Sequence, residues 1–166
     1  MSIRLLLHSG APPAPPLTFI ALSSLGAFIA IAITGGLSVV SGIPWLMAPF
    51  GASCVLAFGV PDSPLAQPRA VIGGHLVATA VGLAVAALLG DGWLACAVGV
   101  ALALAAMQLT RTLHAPAGAD PLVVIIAHAP LSYLVSPVLV GSLVIVLTAW
   151  AVNNLRSPRS YPKYWL

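Results

Sequence analysis

Long apolar segments that contain no charged side chain are the feature that most constrains how this sequence can fold. The 166 residues include six Lys and Arg and three Asp and Glu, so that 5% of the chain is charged and 60% is hydrophobic. A soluble domain carries roughly 25% charged residues, and this chain has too few to cover a water-facing surface. Disorder requires low hydrophobicity and high charge. The sequence therefore excludes a soluble globular enzyme and a disordered chain, and predicts an integral membrane protein.

Six apolar segments are visible, and a spanning helix needs about 20 residues. The second and fifth segments are short and are interrupted by Pro or Gly, whereas none of the six shows the polar–apolar alternation of barrel strands. We therefore predict an all-α membrane protein of about six transmembrane helices. The segments cover residues 17–40, 43–60, 70–89, 93–109, 121–135 and 138–153.

The distribution of charge predicts the orientation of these segments. With six crossings, every Lys and Arg falls on one side of the membrane, whereas Asp91 lies on the other. The positive-inside rule then places both termini in the cytoplasm. A four-span arrangement, in which the second and fifth segments only dip into the bilayer, would move Arg69 to the outside, so the charges favour six crossings. The basic residues are Arg4, Arg69, Arg111, Arg156, Arg159 and Lys163.

This arrangement divides the chain into three parts. A cytoplasmic lead-in covers residues 1–16, a single transmembrane domain covers 17–154, and a cytoplasmic tail covers 155–166. The basic residues are scattered singly and are not interleaved with stacking aromatics, so we expect no nucleic-acid partner. Cys54 and Cys96 lie in apolar runs, where small buried side chains are expected.

Two stretches of the sequence repeat one another. Residues 48–53 read APFGAS and residues 115–120 read APAGAD, and both stretches lie at the start of a short apolar segment. A pair of prolines seven residues apart follows each motif, at 61 and 68 and at 130 and 137. We therefore predict two repeats of three segments, over 17–90 and 93–154. Because three is odd, the repeats have opposite orientation, which is typical of transporters.

Short, Pro- or Gly-interrupted segments at corresponding positions of inverted repeats mark the binding site of such folds. Each motif resembles the first turn of a helix, with a proline suited to that turn and an oxygen for capping on Ser53 or Asp120. Helix N-termini favour anions. We predict that the two motifs converge on a small anion, although helix kinks packed against neighbouring spans are the simpler alternative. The candidate residues are Pro49, Gly51, Ala52, Ser53, Pro116, Gly118, Ala119 and Asp120.

Polar side chains near or within the apolar segments complete the candidate site, since they are costly there and usually functional. Arg111 and His114 precede the second motif and are suited to attract an anion, with a topology anchor as the alternative for Arg111. Arg69, His75 and His128 are candidates for gating or proton coupling. A hydrogen bond to a neighbouring carbonyl is the alternative for His75, and packing or placement at the membrane interface is the alternative for His128. Asp62 and Arg69 are expected to form an ion pair across their loop.

The stretch from APFGASCVLAFGVPDSPLAQPRAVIGGHL to LTRTLHAPAGAD resembles the HPP family of small integral membrane proteins. The similarity extends from about Gly36 to Leu155 and departs from the family at His114-Ala115-Pro116, where the family's His-Pro-Pro motif has a second proline. Ala115 lacks the proline ring that the family has at this position, but this difference removes no functional group. The resemblance implies nitrite transport and a bacterial inner membrane, and it carries Pro49, Gly51, Ala52, Ser53, His114, Pro116, Gly118 and Ala119 over as site residues.

The sequence therefore predicts a transporter or channel for a small inorganic anion, with nitrite implied by the resemblance. A structural or regulatory membrane subunit without a pore is the first alternative, and a membrane enzyme is the second. Enzyme motifs such as a phosphate loop or HExxH are absent from the sequence, and we expect no catalysis, no cofactor and no metal. The many small residues in the spans favour close helix packing, so a homo-oligomer in the lipid bilayer is expected.

Overall fold

A computed structural model of the chain describes residues 12–156 and 161–166. In this part of the chain there are six α-helices and no strand, so the predicted all-helical fold is confirmed. Most of the predicted lead-in, including Arg4, and Arg159 of the tail lie outside the described residues. The helices are α1 (Leu17–Ser41), α2 (Ala48–Cys54), α3 (Pro68–Leu89), α4 (Trp93–Leu109), α5 (Asp120–Ile126) and α6 (Val140–Asn153).

Shorter turns extend three of these helices. A π-helical turn over Val55–Gly59 continues α2, and a 3₁₀ turn over Ala115–Ala119 leads into α5. A 3₁₀ turn (Leu131–Leu134) and a π-helical turn (Val135–Leu139) precede α6. Within the described residues, three helical stretches are long and apolar enough to cross a membrane, namely Leu17–Ser41, Pro68–Leu89 and Leu131–Asn153. Three shorter apolar stretches accompany them, Ala48–Gly59, Trp93–Leu109 and Ala115–Ile126.

The predicted boundaries of the fifth segment were wrong. The sequence placed that segment at residues 121–135, whereas the helical stretch covers Ala115–Ile126 and the residues from Leu131 onward belong to the next one. Pro116 and Pro121 fit the start of the 3₁₀ turn and of α5, because a proline needs no N–H in a first turn. Pro130 marks the break that follows, since the residue before a proline is disfavoured in helical geometry.

Most of the basic side chains in the described residues lie at one end of the helical bundle, which we call the basic end. Arg69 donates from Nε to the Arg111 carbonyl over 3.1 Å and from Nη2 to the Thr110 carbonyl over 2.8 Å. Lys163 pairs with Asp62 at 2.9 Å. The expected pairing of Asp62 with Arg69 was therefore wrong, because the tail supplies the cation and Arg69 binds carbonyl groups at the end of α4.

The other end of the bundle carries a different pair of residues. His128 Nε2 lies 3.4 Å from Asp91 Oδ2, and both side chains are exposed. Asp91 follows α3 and His128 follows α5, so these two helices end on the same side. α1 and α6 pack on each other, and α3 packs on both α4 and α5. The main apolar core lies around Phe50 and Phe58 of the second segment and Ile145 and Ala149 of α6.

Candidate functional site

Four fully buried polar side chains meet between α2, α3 and the start of the fifth helical stretch. Ser53 Oγ lies 2.8 Å from Nε2 of His75 and 2.8 Å from Nε2 of His114. His75 Nδ1 lies 2.7 Å from Oδ2 of Asp120. All four side chains have 0% exposure. We call Ser53, His75, His114 and Asp120 the polar network; it joins the first repeated motif to the second.

Two further contacts fix the orientation of the outer members of the network. Nδ1 of His114 lies 2.7 Å from the Leu65 carbonyl oxygen, which can only accept a hydrogen bond. The Thr79 hydroxyl donates to Oδ2 of Asp120 over 3.4 Å. Oδ1 of Asp120 is buried and has no hydrogen-bond partner among the described residues. The network is thus anchored at one end to a loop carbonyl and at the other to α3.

The position of His114 depends on a glycine in α3. A Cβ atom at Gly74 would lie 2.6 Å from Cβ of His114 and 2.7 Å from the backbone oxygen of Thr112. Real Cβ atoms essentially never approach other atoms so closely, so only glycine lets the chain before the second motif lie directly on α3. His75 follows Gly74 in the same turn, and its ring centroid lies 4.9 Å from that of His114.

Apolar groups surround the network and exclude water from it. The Phe50 ring packs edge-on against the His75 ring, with 5.2 Å between centroids. Phe50 is itself fully buried, as are Ala117 and Val138. Polar interactions are stronger in such surroundings, and an unpaired polar group is more costly there.

Both repeated motifs begin a helical turn, as predicted, because α2 starts at Ala48 and the 3₁₀ turn starts at Ala115. The predicted capping role of Ser53 and Asp120 was wrong. Met47 and His114 occupy the cap positions, and neither makes a side-chain capping bond. Ser53 Oγ lies 3.0 Å from the Pro49 carbonyl one turn earlier in α2, whereas Asp120 binds His75. The two oxygens face inward to the network instead of closing the helix starts.

The other predicted motif residues are divided between the interior and the surface. Pro49 and Pro116 are buried, Gly51 and Ala52 are exposed, and Gly118 and Ala119 are intermediate. A Cβ atom at Gly51 or Gly118 would meet nothing within 4 Å. Packing therefore requires neither glycine.

Arg69 and Arg111 lie at the basic end, outside the network. Together with Tyr164 and Leu166 they line an open cavity of about 270 Å³. A neighbouring cavity of about 410 Å³ is lined by Arg69, Gly73 and Thr112. None of the four network side chains is among the residues that line these two cavities.

A third cavity lies beside the turns that follow α5. It has a volume of about 360 Å³, and its lining includes Pro44, Tyr133 and Ser136. The four network side chains are not among the residues that line this cavity. His128 is exposed and pairs with Asp91, so the structure does not bring it to the other candidate residues.

Sequence reasoning missed Thr79 and the link from Ser53 through His75 to Asp120. The signal for Thr79 was present, since it follows His75 by four residues and i,i+4 side chains share a helix face. The link itself joins residues 22 and 45 positions apart and depends on tertiary packing. Among the described residues, no group of three His, Cys, Asp or Glu side chains is placed to hold a metal ion.

The helical fold, its long apolar helices and its buried polar residues define an integral membrane protein. A family model described as HPP, transmembrane region, matches residues 12–162, and the chain belongs to this family. It is 36% identical to a transmembrane protein of Dictyostelium discoideum over 93% of this chain and 58% of that protein. It is 40% identical to a second transmembrane protein of the same organism over 73% of this chain and 42% of that protein.

The chain thus spans about half the length of these curated relatives. No solved structure matches it significantly.

Proposed function

We propose that this chain is a membrane transporter or channel for a small inorganic monoanion, with nitrite as the substrate. The observation that carries the proposal is the contact between the two broken segments. Ser53 Oγ of the first motif and Nε2 of His114, the residue directly before the second motif, lie 2.8 Å apart in the interior. Binding sites of inverted-repeat transporters lie where two such segments meet, and buried ionisable residues at membrane depth are functional by default.

Six crossings are part of the proposal. The N–H of Trp45 donates to Ser38 Oγ near the end of α1, over 2.8 Å. Ser23, near the start of α1, donates to the Phe58 carbonyl over 2.8 Å. The second segment therefore runs antiparallel to α1 and returns to its starting side. The contact of Arg69 with Thr110 joins the start of α3 to the end of α4 in the same way. These contacts support an arrangement of six crossings, with the second and fifth segments as the short ones.

The charges at the basic end suit an anion that approaches from the cytoplasm. Arg69 and Arg111 line an open cavity there, and charges in a cleft raise the local concentration of oppositely charged ions. The inner membrane of a bacterium, with both termini cytoplasmic, is the setting that these charges and the resemblance support.

Uptake of nitrite into proteoliposomes tests the proposal. Purified protein should give uptake well above that of empty vesicles, and Ser53→Ala should remove most of it because the two motifs then lose their shared hydroxyl. Ser24→Ala is the matched control, since Ser24 is exposed on α1. Uptake equal to that of empty vesicles would refute the substrate assignment and favour a subunit without a pore.

A membrane hydrolase is the second candidate, and one observation favours it. Ser53 Oγ, His75 and Asp120 are arranged in the order of a serine nucleophile, its base and the orienting carboxylate. Labelling of the purified protein with a fluorophosphonate probe tests this candidate. Stoichiometric labelling of the wild-type protein that is abolished in Ser53→Ala would establish a reactive serine. Absence of labelling in the wild-type protein would refute the hydrolase and leave the transporter as the remaining candidate.

A further inference from the structure

We propose that Asp120, His75 and His114 together hold three hydrogens in the polar network. An ionised Asp120 and two neutral histidines would hold two, so the network carries one additional, exchangeable proton. This proton is the coupling ion of transport, a role that rests on the proposed function. The proton count itself follows from the hydrogen bonds of the network.

The first step concerns the Ser53 hydroxyl, which has a single hydrogen to donate. Its oxygen lies within 3.0 Å of three potential acceptors, the Nε2 atoms of His75 and His114 and the Pro49 carbonyl. One hydrogen cannot satisfy both imidazole nitrogens. At least one of the two Nε2 atoms must therefore carry its own hydrogen and donate it to Ser53.

The second step assigns the remaining ring hydrogens. His114 Nδ1 faces the Leu65 carbonyl and must be protonated. If His114 is neutral, its Nε2 accepts from Ser53 and His75 Nε2 donates to Ser53. His75 Nδ1 then either accepts from a protonated Asp120, or donates to an ionised Asp120 as part of an imidazolium. If His114 is the cation instead, it donates to Ser53, and neutral His75 donates to an ionised Asp120.

All three arrangements contain the same number of protons. Each has three hydrogens distributed over Asp120, His75 and His114, and each has a net charge of zero. Such a set titrates as a unit. With only two hydrogens, either two unprotonated Nε2 atoms face one hydroxyl hydrogen, or His75 carries its hydrogen on Nε2 and its bare Nδ1 faces the ionised Asp120 carboxylate. Both arrangements also bury a net negative charge, which is costly without a partner.

The surroundings of the network supply no compensating cation. From α3 the Thr79 hydroxyl contacts Asp120, from α2 the Phe50 ring packs against His75, and from the loop before α3 the Leu65 carbonyl faces His114. Within the described part of the chain, no Lys or Arg makes a hydrogen bond or an ion pair with any of the four side chains. Oδ1 of Asp120 also lacks a donor there, which disfavours an isolated carboxylate.

Release of the proton would change the contacts between the two broken segments. If both Nε2 atoms are then unprotonated, Ser53 can donate to only one histidine, and one of its two 2.8 Å contacts must break. If His75 keeps its hydrogen on Nε2, its contact with the ionised Asp120 must break instead. The remaining charge on Asp120 would also repel an anion. The loaded, neutral network is therefore the state that admits an anion, and anion and proton cross together.

Nitrogen NMR of the histidine rings tests the proton count without any transport assay. Replacement of His8 and His128 by Gln leaves His75 and His114 as the two histidines of the sequence. In lipid nanodiscs near neutral pH, three of the four ring nitrogens should carry hydrogen if one ring is the cation. If Asp120 holds the proton instead, two of the four ring nitrogens should carry hydrogen, and the hydrogen of His75 should be on Nε2. Both Nε2 atoms unprotonated would overturn the proposal, and so would hydrogen on His75 Nε2 alone together with a carboxyl carbon shift that shows Asp120 to be ionised.

Asp120→Asn provides the matched variant for this measurement. Its amide can donate to His75 Nδ1, so His75 should be fixed with hydrogen on Nε2 at every pH, whereas the wild-type pattern should change as pH rises. A wild-type pattern that stays constant to the alkaline limit of folding would contradict an exchangeable proton. If the variant does not fold, the wild-type pattern still decides.

Recording nitrite and proton fluxes together in proteoliposomes tests the coupling. We expect one proton to enter with each nitrite, after subtraction of the flux of empty vesicles, since nitrous acid crosses bilayers unaided. Nitrite uptake without protein-dependent proton uptake would overturn the coupling and leave the transporter proposal intact. Absence of any nitrite uptake would refute the transporter and with it the coupling role, while the NMR result would stand by itself.

Discussion

Nδ1 of His75 lies 2.7 Å from Oδ2 of Asp120, and neither side chain has any exposed surface. The pair joins α3 to α5, and Ser53 extends it to α2. Removal of one partner from a buried pair leaves the other without its hydrogen bond, and the cost of such a loss is about 1–3 kcal/mol or more for charged groups.

The first prediction concerns the stability of this pair. Asp120→Ala should lower the free energy of unfolding by about 3 kcal/mol, in the range for a broken buried pair, whereas Asp120→Asn should lower it much less because the amide can still bond His75. Thermal unfolding in detergent measures both. Asp91→Asn is the control, since the exposed Asp91–His128 pair should contribute under about 1 kcal/mol. Equal effects at positions 91 and 120 would contradict the importance of the buried pair.

Substitutions at three glycines test the effects of packing and of substrate access independently. Gly74→Ala should destabilise the protein, because its Cβ would lie 2.6 Å from Cβ of His114. Gly51→Ala and Gly118→Ala should leave thermal unfolding unchanged or raise it slightly, since their Cβ atoms meet nothing within 4 Å and alanine suits a helix better than glycine does.

The same variants should behave differently in the uptake assay. If the anion approaches the backbone of the two motifs, Gly51→Ala and Gly118→Ala should reduce nitrite uptake severalfold while the fold remains intact. Uptake at the wild-type level in both would remove these two glycines from the binding site.

Arg111 provides a test of electrostatic attraction at the basic end. It is exposed, and its backbone has a φ of 58°. Arg111→Gln should raise the nitrite concentration needed for half-maximal uptake severalfold, with little change in the maximal rate, and Arg111→Lys should restore it. The difference should shrink at high salt, because the screening length falls from about 10 Å at 0.1 M to about 3 Å at 1 M. A salt-independent defect would indicate a structural anchor instead.

The buried hydroxyl of Tyr161 should make the stability of the protein depend on pH. Its hydroxyl donates to the Ala66 carbonyl over 3.0 Å and fixes the tail to the loop before α3. Burial raises the pKa of this phenol above its ordinary value near 10. The folded protein therefore keeps a proton that the unfolded chain releases, so the stabilisation by Tyr161 is fully present below about pH 10 and is lost as pH rises further.

Tyr161→Phe isolates this effect. At pH 8 the variant should be less stable by about 1 kcal/mol, the usual contribution of one hydrogen bond, and the difference should narrow or reverse as pH rises above 10. Unfolding midpoints measured at several pH values provide the comparison. Parallel stability curves for the two proteins would show that the phenol does not titrate differently on unfolding.

Charge and helix starts were the parts of the structure that the sequence predicted best. Arg69 binds the Arg111 carbonyl, and Lys163 pairs with Asp62 in the loop before α3, so these basic residues are grouped at one end as predicted. The motif starts at Ala48 and Ala115 were predicted from their prolines. The limits of the fifth segment were missed because residues 131–135 are as apolar as those before Pro130, so hydropathy alone does not reveal the break.

The composition of the polar network could be predicted only in part. Ser53, His114 and Asp120 were candidates through their motifs, and His75 through its polarity in an apolar helix. Their pairing depends on how α3 lies against α2 and the second motif, and hence on the rotation of each helix about its axis. The sequence has too few charged residues to reveal that rotation, since the segments that contain the network residues are apolar on nearly every face.

The driving force for nitrite uptake tests the central claim most directly. One anion and one proton crossing together carry no net charge, so an acidic exterior should drive uptake and a potassium diffusion potential should not change it. Wild-type uptake should exceed that of empty vesicles, and its dependence on the pH gradient should be lost in Asp120→Asn, whose network is neutral without the additional proton. Uptake that follows the potential, ignores the pH gradient and persists in Asp120→Asn would contradict anion transport through a proton-loaded network.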